Sequence, residues 1–256
     1  MTKRVGRQMH KGMMAVLLAL TLSPGLSVQA DTLTLTTENY PPFNFETESG
    51  EIDGISVRVM RTLLEESGIE AEMRLLPWSR AYALARSRAG TCVFSTTRTP
   101  EREALFEWVG PLVDNQWHAF TLEDSDVQAG HLEDLHDYRV GGYRDDATAL
   151  YVESQGIPVD TAPNDRLNAR KLAAGRIDVW VSGEYLAPWY ARQEGVGPLR
   201  SLFAFNDTVM SLACHPDTDR DLLDQLQERL DAMRQDGRYA AILAAVLNQT
   251  NGGNDE

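Results

Sequence analysis

Cys92-Val-Phe-Ser-Thr-Thr-Arg-Thr-Pro-Glu-Arg-Glu103 is the stretch on which the reading of this chain turns. Cys92, Val93 and Phe94 form the short apolar run of a buried parallel strand, and the run stops at hydroxyls rather than at glycine or proline. Thr99 then suits an N-cap, Pro100 is pre-set for a first helical position, and Glu101 puts negative charge in a first turn. A strand that ends in Ser95, Thr96 and Thr97 and turns into a helix gathers hydroxyls, free backbone N–H groups and the guanidinium of Arg98 or Arg102. Such a set suits a carboxylate. An ordinary capped helix with solvated arginines fits the same residues, so the rest of the chain decides.

The N-terminus carries Lys3, Arg4, Arg7 and Lys11, then an apolar run from Met13 to Leu22, then Val28-Gln29-Ala30 before Asp31. This order predicts a secretory signal peptide over residues 1–30, cut after Ala30. The apolar run is too short to span a membrane, no cysteine follows the cut to carry a lipid anchor, and no other segment approaches the ~20 apolar residues of a membrane helix. The whole chain of 256 residues has 24 Lys+Arg against 38 Asp+Glu; the signal peptide holds four of the basic residues and none of the acids, which leaves −18 on the mature 226 residues. Nucleic acid and anionic lipid are repelled by such a surface and are excluded as partners. The mature length allows one large domain or two lobes of roughly 100 residues.

Two cysteines, Cys92 and Cys214, in an exported chain allow one disulfide. Both lie in apolar, strand-like runs where a free cysteine is a small buried hydrophobe, and two buried thiols are the favoured expectation. No metal is expected from two distant cysteines, nor from His131 and His136, whose spacing of five does not share a helical face. No cofactor is expected either.

Along the chain, residues 32–36 alternate Thr-Leu-Thr-Leu-Thr as a strand does. Glu38-Asn-Tyr-Pro-Pro-Phe43 follows, and its two prolines fix an extended loop that holds Tyr40 and Phe43 at the strand's carboxyl end, where open α/β sheets bind ligands. Ile55, Val59, Met60, Leu63 and Leu64 recur at helical spacing, and Gly68 closes that helix. A strand from Ala71 to Leu76 runs into Pro77-Trp78. This rhythm predicts a parallel sheet wrapped by helices. A second unit starts at Tyr138, breaks on Gly141-Gly142 and opens a helix from Ala147 to Ser154, with Asp145 or Asp146 as its cap. Strands near Val179–Val181 and Val209–His215, a helix striped by Leu222 to Met233, a break at Asp236-Gly237 and a last helix complete the chain, with a frayed tail from Gln249.

Ser95-x-Thr-x-Thr-Pro-Glu-Arg102, Tyr40-Pro-Pro-Phe43, Leu172-x-x-Gly-Arg-Ile-Asp178 and Met233-x-x-Asp-Gly-x-Tyr239 together resemble the family 3 solute-binding proteins, periplasmic receptors of polar amino-acid ABC transporters. The resemblance implies an α/β, two-lobe periplasmic-binding-protein fold of type II, with parallel-rich sheets, helices on both faces and a two-strand hinge. Lobe 1 would be discontinuous, residues 31–115 and 208–256, and lobe 2 would be residues 116–207, with crossings near Asn115–Phe120 and Phe203–Thr208. It further implies a monomer in the periplasm that closes on a small polar carboxylate-bearing solute, an amino acid or related compound, and presents it to an ABC permease.

By the same resemblance Tyr40 and Trp78 stack on the ligand, and Thr97 and Arg102 hold its carboxylate with Ser95 and Arg98 beside them. Tyr143, Asp145 and Asp146 close from the other lobe. The family's acid for the α-ammonium falls at Gly183, so either Ser182 or Glu184 takes its place or the ligand lacks an α-amino group. The family's sheet order would also let the strands of Cys92 and Cys214 be neighbours. Members of the family include dehydratases of cyclic carboxylates and sensor modules, and Asp145, Asp146 and Glu184 could do acid–base work. No Gly-x-Ser-x-Gly, His-Glu-x-x-His, Walker or dinucleotide pattern supports catalysis. A binder is expected, with a dehydratase-like enzyme or a soluble ligand-presenting sensor component as alternatives.

Overall fold

Residues 1–2 and 32–251 are described by the computed structural model; the signal peptide, its cleavage after Ala30 and the end of the tail lie outside the described residues. The first half of the chain builds β1 (Leu33–Thr37), β2 (Phe45–Glu46), β3 (Ile52–Asp53), α1 (Ile55–Ser67), β4 (Ala71–Leu75), α2 (Trp78–Ser87), β5 (Thr91–Thr97), α3 (Pro100–Glu103) and β6 (Glu107–Leu122). A 3-10 turn over Leu132–Asp137 leads to β7 (Val140–Tyr143), α4 (Ala147–Ser154), β8 (Val159–Ala162), α5 (Asp165–Ala173), β9 (Val179–Gly183) and α6 (Leu186–Gln193). The chain then returns through β10 (Leu199–Cys214) to α7 (Arg220–Gln235) and α8 (Arg238–Asn251).

Eight strands form one ladder in the order β4-β1-β5-β10-β6-β9-β7-β8. β1 lies parallel between β4 and β5, and β7 lies parallel between β8 and β9. Between these two parallel groups β10 and β6 run antiparallel to each other and to their outer neighbours. β5 pairs with β10 at residues 210–214 only, whereas β9 pairs with β6 at Trp117–Phe120. The 16-residue strands β6 and β10 therefore belong to one group at one end and to the other group at the other end.

The crossings differ from expectation in one respect. They are not short separate strands but the middles of two continuous ones, even though Gly110-Pro111 interrupts the sequence pattern of β6. Proline lacks an N–H, and the ladder accommodates it at a register shift: Met210 faces Val113, yet Leu212 faces Val109.

Cores form on both sides of this ribbon. α1 lays Val59, Met60 and Leu63 against Leu35, Phe94, Leu226, Leu230 and Met233, and ends where Gly68 takes a left-handed φ of 64°. The other group buries Leu135, Val140, Val152, Ile157, Val179 and Val181 together. Cys92 and Cys214 face each other across β5 and β10 with their Cα atoms 3.9 Å apart, and they are bonded. The expectation of two free thiols is corrected by strand adjacency, which their separate apolar runs do not encode.

Candidate functional site

The end of β1 is tied down before the functional loop begins. Thr36 Oγ1 donates to the Cys92 carbonyl at 3.0 Å and Thr37 Oγ1 to the Phe94 carbonyl at 3.2 Å, which fixes β1 on β5. The next residues close on themselves: Asn44 Nδ2 donates to the Glu38 carbonyl at 2.6 Å, and the Tyr40 N–H donates to the Asn44 carbonyl at 2.6 Å. Tyr40 stacks on Phe43 with ring centroids 6.0 Å apart. Glu38, Asn39 and Tyr40 are thereby held at the carboxyl end of the strand.

There the loop faces a cavity of about 410 Å³, bounded on one side by residues 38–40 and 75–77 and on the other by Tyr143, residues 163–166 and Tyr190. Bonds cross its margins. Trp78 Nε1 donates to the Asp145 carbonyl at 2.9 Å, the Tyr190 hydroxyl donates to the Asn39 carbonyl at 3.2 Å, and the Tyr143 hydroxyl bonds the Glu38 carboxyl. Asp145 reaches this position with a φ of 62°, a left-handed conformation that aspartate tolerates.

Helix α3 is a single turn, and the Thr99 hydroxyl does not cap its backbone, so the expected helix N-terminus contributes little. What remains is Arg102. Its guanidinium is 7% exposed, sits 5.3 Å from the Trp78 ring centroid and 5.2 Å from that of Tyr82, and donates through Nη1 to the Thr97 carbonyl at 3.3 Å. No carboxylate lies within 4 Å of it among the described residues. Arg98 goes elsewhere, paired with Glu103 at the surface over the Trp108 ring. Thr97 is buried, and Ser95 is buried at a φ of 57° with a hydroxyl that has no hydrogen-bond partner among the described residues.

Two acids that the sequence reading did not select line this cavity, Glu38 and Asp165, which are 7% and 4% exposed. Burial, reinforced by the nearby charge of Asp146, holds the Glu38 carboxyl well above the usual carboxylate range. Burial likewise pushes Asp165 up to about 7, against hydrogen bonds that its Oδ1 accepts from Trp180 Nε1 at 2.9 Å and Asn168 Nδ2 at 3.1 Å. The phenols of Tyr40 and Tyr143 are raised by the same burial. Asp146 accepts from the Thr148 N–H at 2.9 Å and is the N-cap of α4.

Gly183 has no room for the family's acid. A Cβ there would meet the Tyr40 hydroxyl at 2.7 Å and Asn115 Oδ1 at 2.8 Å. Glu184 does not join the main cavity. It lines a second one of about 390 Å³ with Asp114 and Asp207, where burial raises its carboxyl and both neighbours add to the rise. Of the expected site residues, Tyr40 and Tyr143 line this cavity; Trp78 and Asp145 bond each other at its margin, Asp146 and Arg102 act on the Glu38 carboxyl through their charge, Thr97 is buried at the end of β5, and Arg98 and Glu184 stand elsewhere. Among the described residues no cluster of three or more His, Cys, Asp or Glu could hold a metal, and no helix is long and apolar enough to cross a membrane.

Comparison with known proteins matches residues 33–249 to the profile of the bacterial extracellular solute-binding proteins, family 3. An L-cystine-binding protein of Escherichia coli (strain K12) is 24% identical over 93% of this chain and 94% of its own length. A Haemophilus influenzae protein named "Probable amino-acid ABC transporter-binding protein" is 22% identical over 82% of each chain. Among solved structures, a histidine kinase sensor domain with similarity to periplasmic binding proteins superposes with a TM-score of 0.79 at 25% identity, over 85% of this chain and 96% of that one. The matched profile and the named curated relatives are binding proteins. The profile, the paired parallel groups joined by two long strands and the cavity between them agree: the chain belongs to the bacterial extracellular solute-binding proteins, family 3.

Proposed function

We propose that this protein captures a small polar solute bearing a carboxylate in the periplasm and hands it to the permease of an ABC importer. The observation that carries the reading is Arg102, a buried guanidinium packed over the Trp78 and Tyr82 rings with no carboxylate within ion-pair distance among the described residues. Leaving a buried charge unpaired is costly, and a bidentate ligand carboxylate offsets that cost. Residues 31–115 with 208–256 form one lobe and 116–207 the other, and β6 and β10 act as the hinge. Closure removes water from the cavity and strengthens the interactions inside it. The protein is exported by a signal peptide that is cut after Ala30, and it acts as a monomer. The amino-acid ligands in the names of its relatives support this class of solute.

The test is a thermal-shift screen of the purified protein against amino acids and dicarboxylates, followed by calorimetry on each hit. A solute at a hundred times its Kd stabilises the fold by about 2.7 kcal/mol. The Arg102–carboxylate interaction is worth about 1.5–3 kcal/mol, so Arg102→Ala is expected to weaken binding roughly tenfold or more. Unchanged affinity in a folded Arg102→Ala protein overturns the reading. The likeness to a kinase sensor domain supports a second reading, in which the closed form is shown to a signalling receptor; retention of solute import in a strain lacking this protein would favour it.

A further inference from the structure

We infer that the solute carries, beside its carboxylate, an uncharged apolar side group, and that Leu75, Leu76 and Pro77 on one wall of the cavity and Pro163 on the other receive it. The inference rests on the capture function proposed above and names the class of solute for that site. The polar side chains of the lining are already engaged within the protein. Asn39 Nδ2 donates to the Tyr190 hydroxyl at 3.4 Å, and that hydroxyl donates to the Asn39 carbonyl at 3.2 Å. Asn164 Oδ1 accepts the Leu167 N–H, and Arg166 is held by Glu194 Oε1 at 3.1 Å. Asp165 Oδ1 takes the bonds from Trp180 and Asn168, and the Glu38 carboxyl bonds the Tyr143 hydroxyl. The Tyr40 hydroxyl meets the Asn115 amide at 3.5 Å, so the tyrosines of the lining have ring carbon left to offer.

Leu75 is the sharper sign. It ends β4 at the edge of the sheet, is half-buried, and belongs to none of the apolar clusters among the described residues. Leu76 leans on the cluster of Trp78 and Phe106 and is still only half-buried. Water against these surfaces is released when the lobes close on an apolar group. A charged group placed there would shed its own water and find its polar neighbours taken. Burial raises both carboxyls of the lining, which favours their uncharged forms and leaves less counter-charge for such a group. The carboxylate end of the solute lies next to this wall, because Trp78 follows Pro77 directly and carries the Arg102 guanidinium over its ring. At about 410 Å³ the cavity has the size of a small-molecule site, and an apolar lining with few polar groups is the usual make-up of one.

The experiment is calorimetry on the wild type and Leu75→Ala with two matched pairs, L-phenylalanine against L-alanine and phenylacetate against acetate, together with L-arginine and L-glutamate. In at least one pair the ring-bearing member is expected to bind about tenfold or more tighter than its short partner, and tighter than L-arginine or L-glutamate. Its binding should also show the more negative heat-capacity change of apolar burial. Leu75→Ala is expected to cut affinity for the ring-bearing member about fivefold and that for the short member less. The ranking on the wild type decides alone if the variant fails to fold. Stronger binding of L-arginine or L-glutamate, equal binding within the pairs, or a gap that a folded Leu75→Ala leaves intact overturns the inference while the capture function stands. Silence of the wild type toward all six probes overturns the inference, and silence across the wider screen overturns the capture function with it.

Discussion

Gly183 is occupied by its neighbours. The Tyr40 hydroxyl and the Asn115 amide, themselves linked at 3.5 Å, fill the volume of its missing side chain. Gly183→Ala is expected to lose about 1–3 kcal/mol in urea denaturation, the usual cost of one methyl too many in a packed site. Adding Tyr40→Phe should restore part of that loss because it removes the closer of the two atoms; strictly additive losses would show that Tyr40 is not what the methyl meets. The choice between adjacent residues is where the sequence stopped being informative. Asp145 and Asp146 compete for one cap, and Asp146 takes it while Asp145 adopts a left-handed φ. Asn164 and Asp165 compete in the same way at α5; Asn164 Oδ1 accepts the Leu167 N–H at 3.1 Å, which frees Asp165 to face the cavity. An acid beside Tyr40 at a strand end was the available sign for Glu38. Arg102 and Trp78 were singled out through resemblance, whereas Tyr190, which lines the cavity, sits mid-helix with no local mark.

Element boundaries set by strong local chemistry were readable. α4 spans Ala147–Ser154 as its glycines and capping aspartate indicate, and α1 stops at Gly68. The lengths of β6 and β10 were not, because pairing decides them: register shifts absorb Pro111 and let each strand run on. The same holds for the disulfide, whose partners are 122 residues apart and meet only because β10 returns beside β5. Closing so long a loop stabilises a fold by about 2–4 kcal/mol. Reduction, or Cys92→Ala with Cys214→Ala, is thus expected to lower Tm by several degrees in a thermal melt. No change in Tm would place the bond outside the stability of this sheet.

At the scale of the molecule the buried and exposed acids pull stability in opposite directions with pH. Asp53, Glu103, Asp134, Asp178 and Asp236 are held below the usual range, chiefly by arginine partners or backbone N–H groups. Their contribution is complete at neutral pH and is lost only in acid. Glu38 and Asp165 are raised, so the stability they permit is complete below their unfolded pKa values and is lost as pH rises through the folded ones, about 7 for Asp165. Burial lowers His118, against the attraction of Asp207. Between pH 6.5 and 8 the free protein is expected to lose roughly 1 kcal/mol from Asp165. Calorimetric melts should show Tm falling over that range, and Asp165→Asn should flatten the fall; an equal slope in the variant would assign the effect to other groups.

The return of β10 also sets an order of events as the chain is made. β5 is complete once Thr97 has appeared, but the strand that covers its open edge does not exist until residues 210–214 follow. At ~5–20 residues per second the 122 positions between the two cysteines take about 6–24 s to emerge. Throughout that interval Cys92 is a lone thiol and the stretch carrying Thr97 and Arg102 is an unprotected sheet edge, open to mispairing. A chain cut short anywhere within residues 116–207 therefore loses the earlier wall of the cleft as well as the later one, although every residue of that earlier wall has already been made.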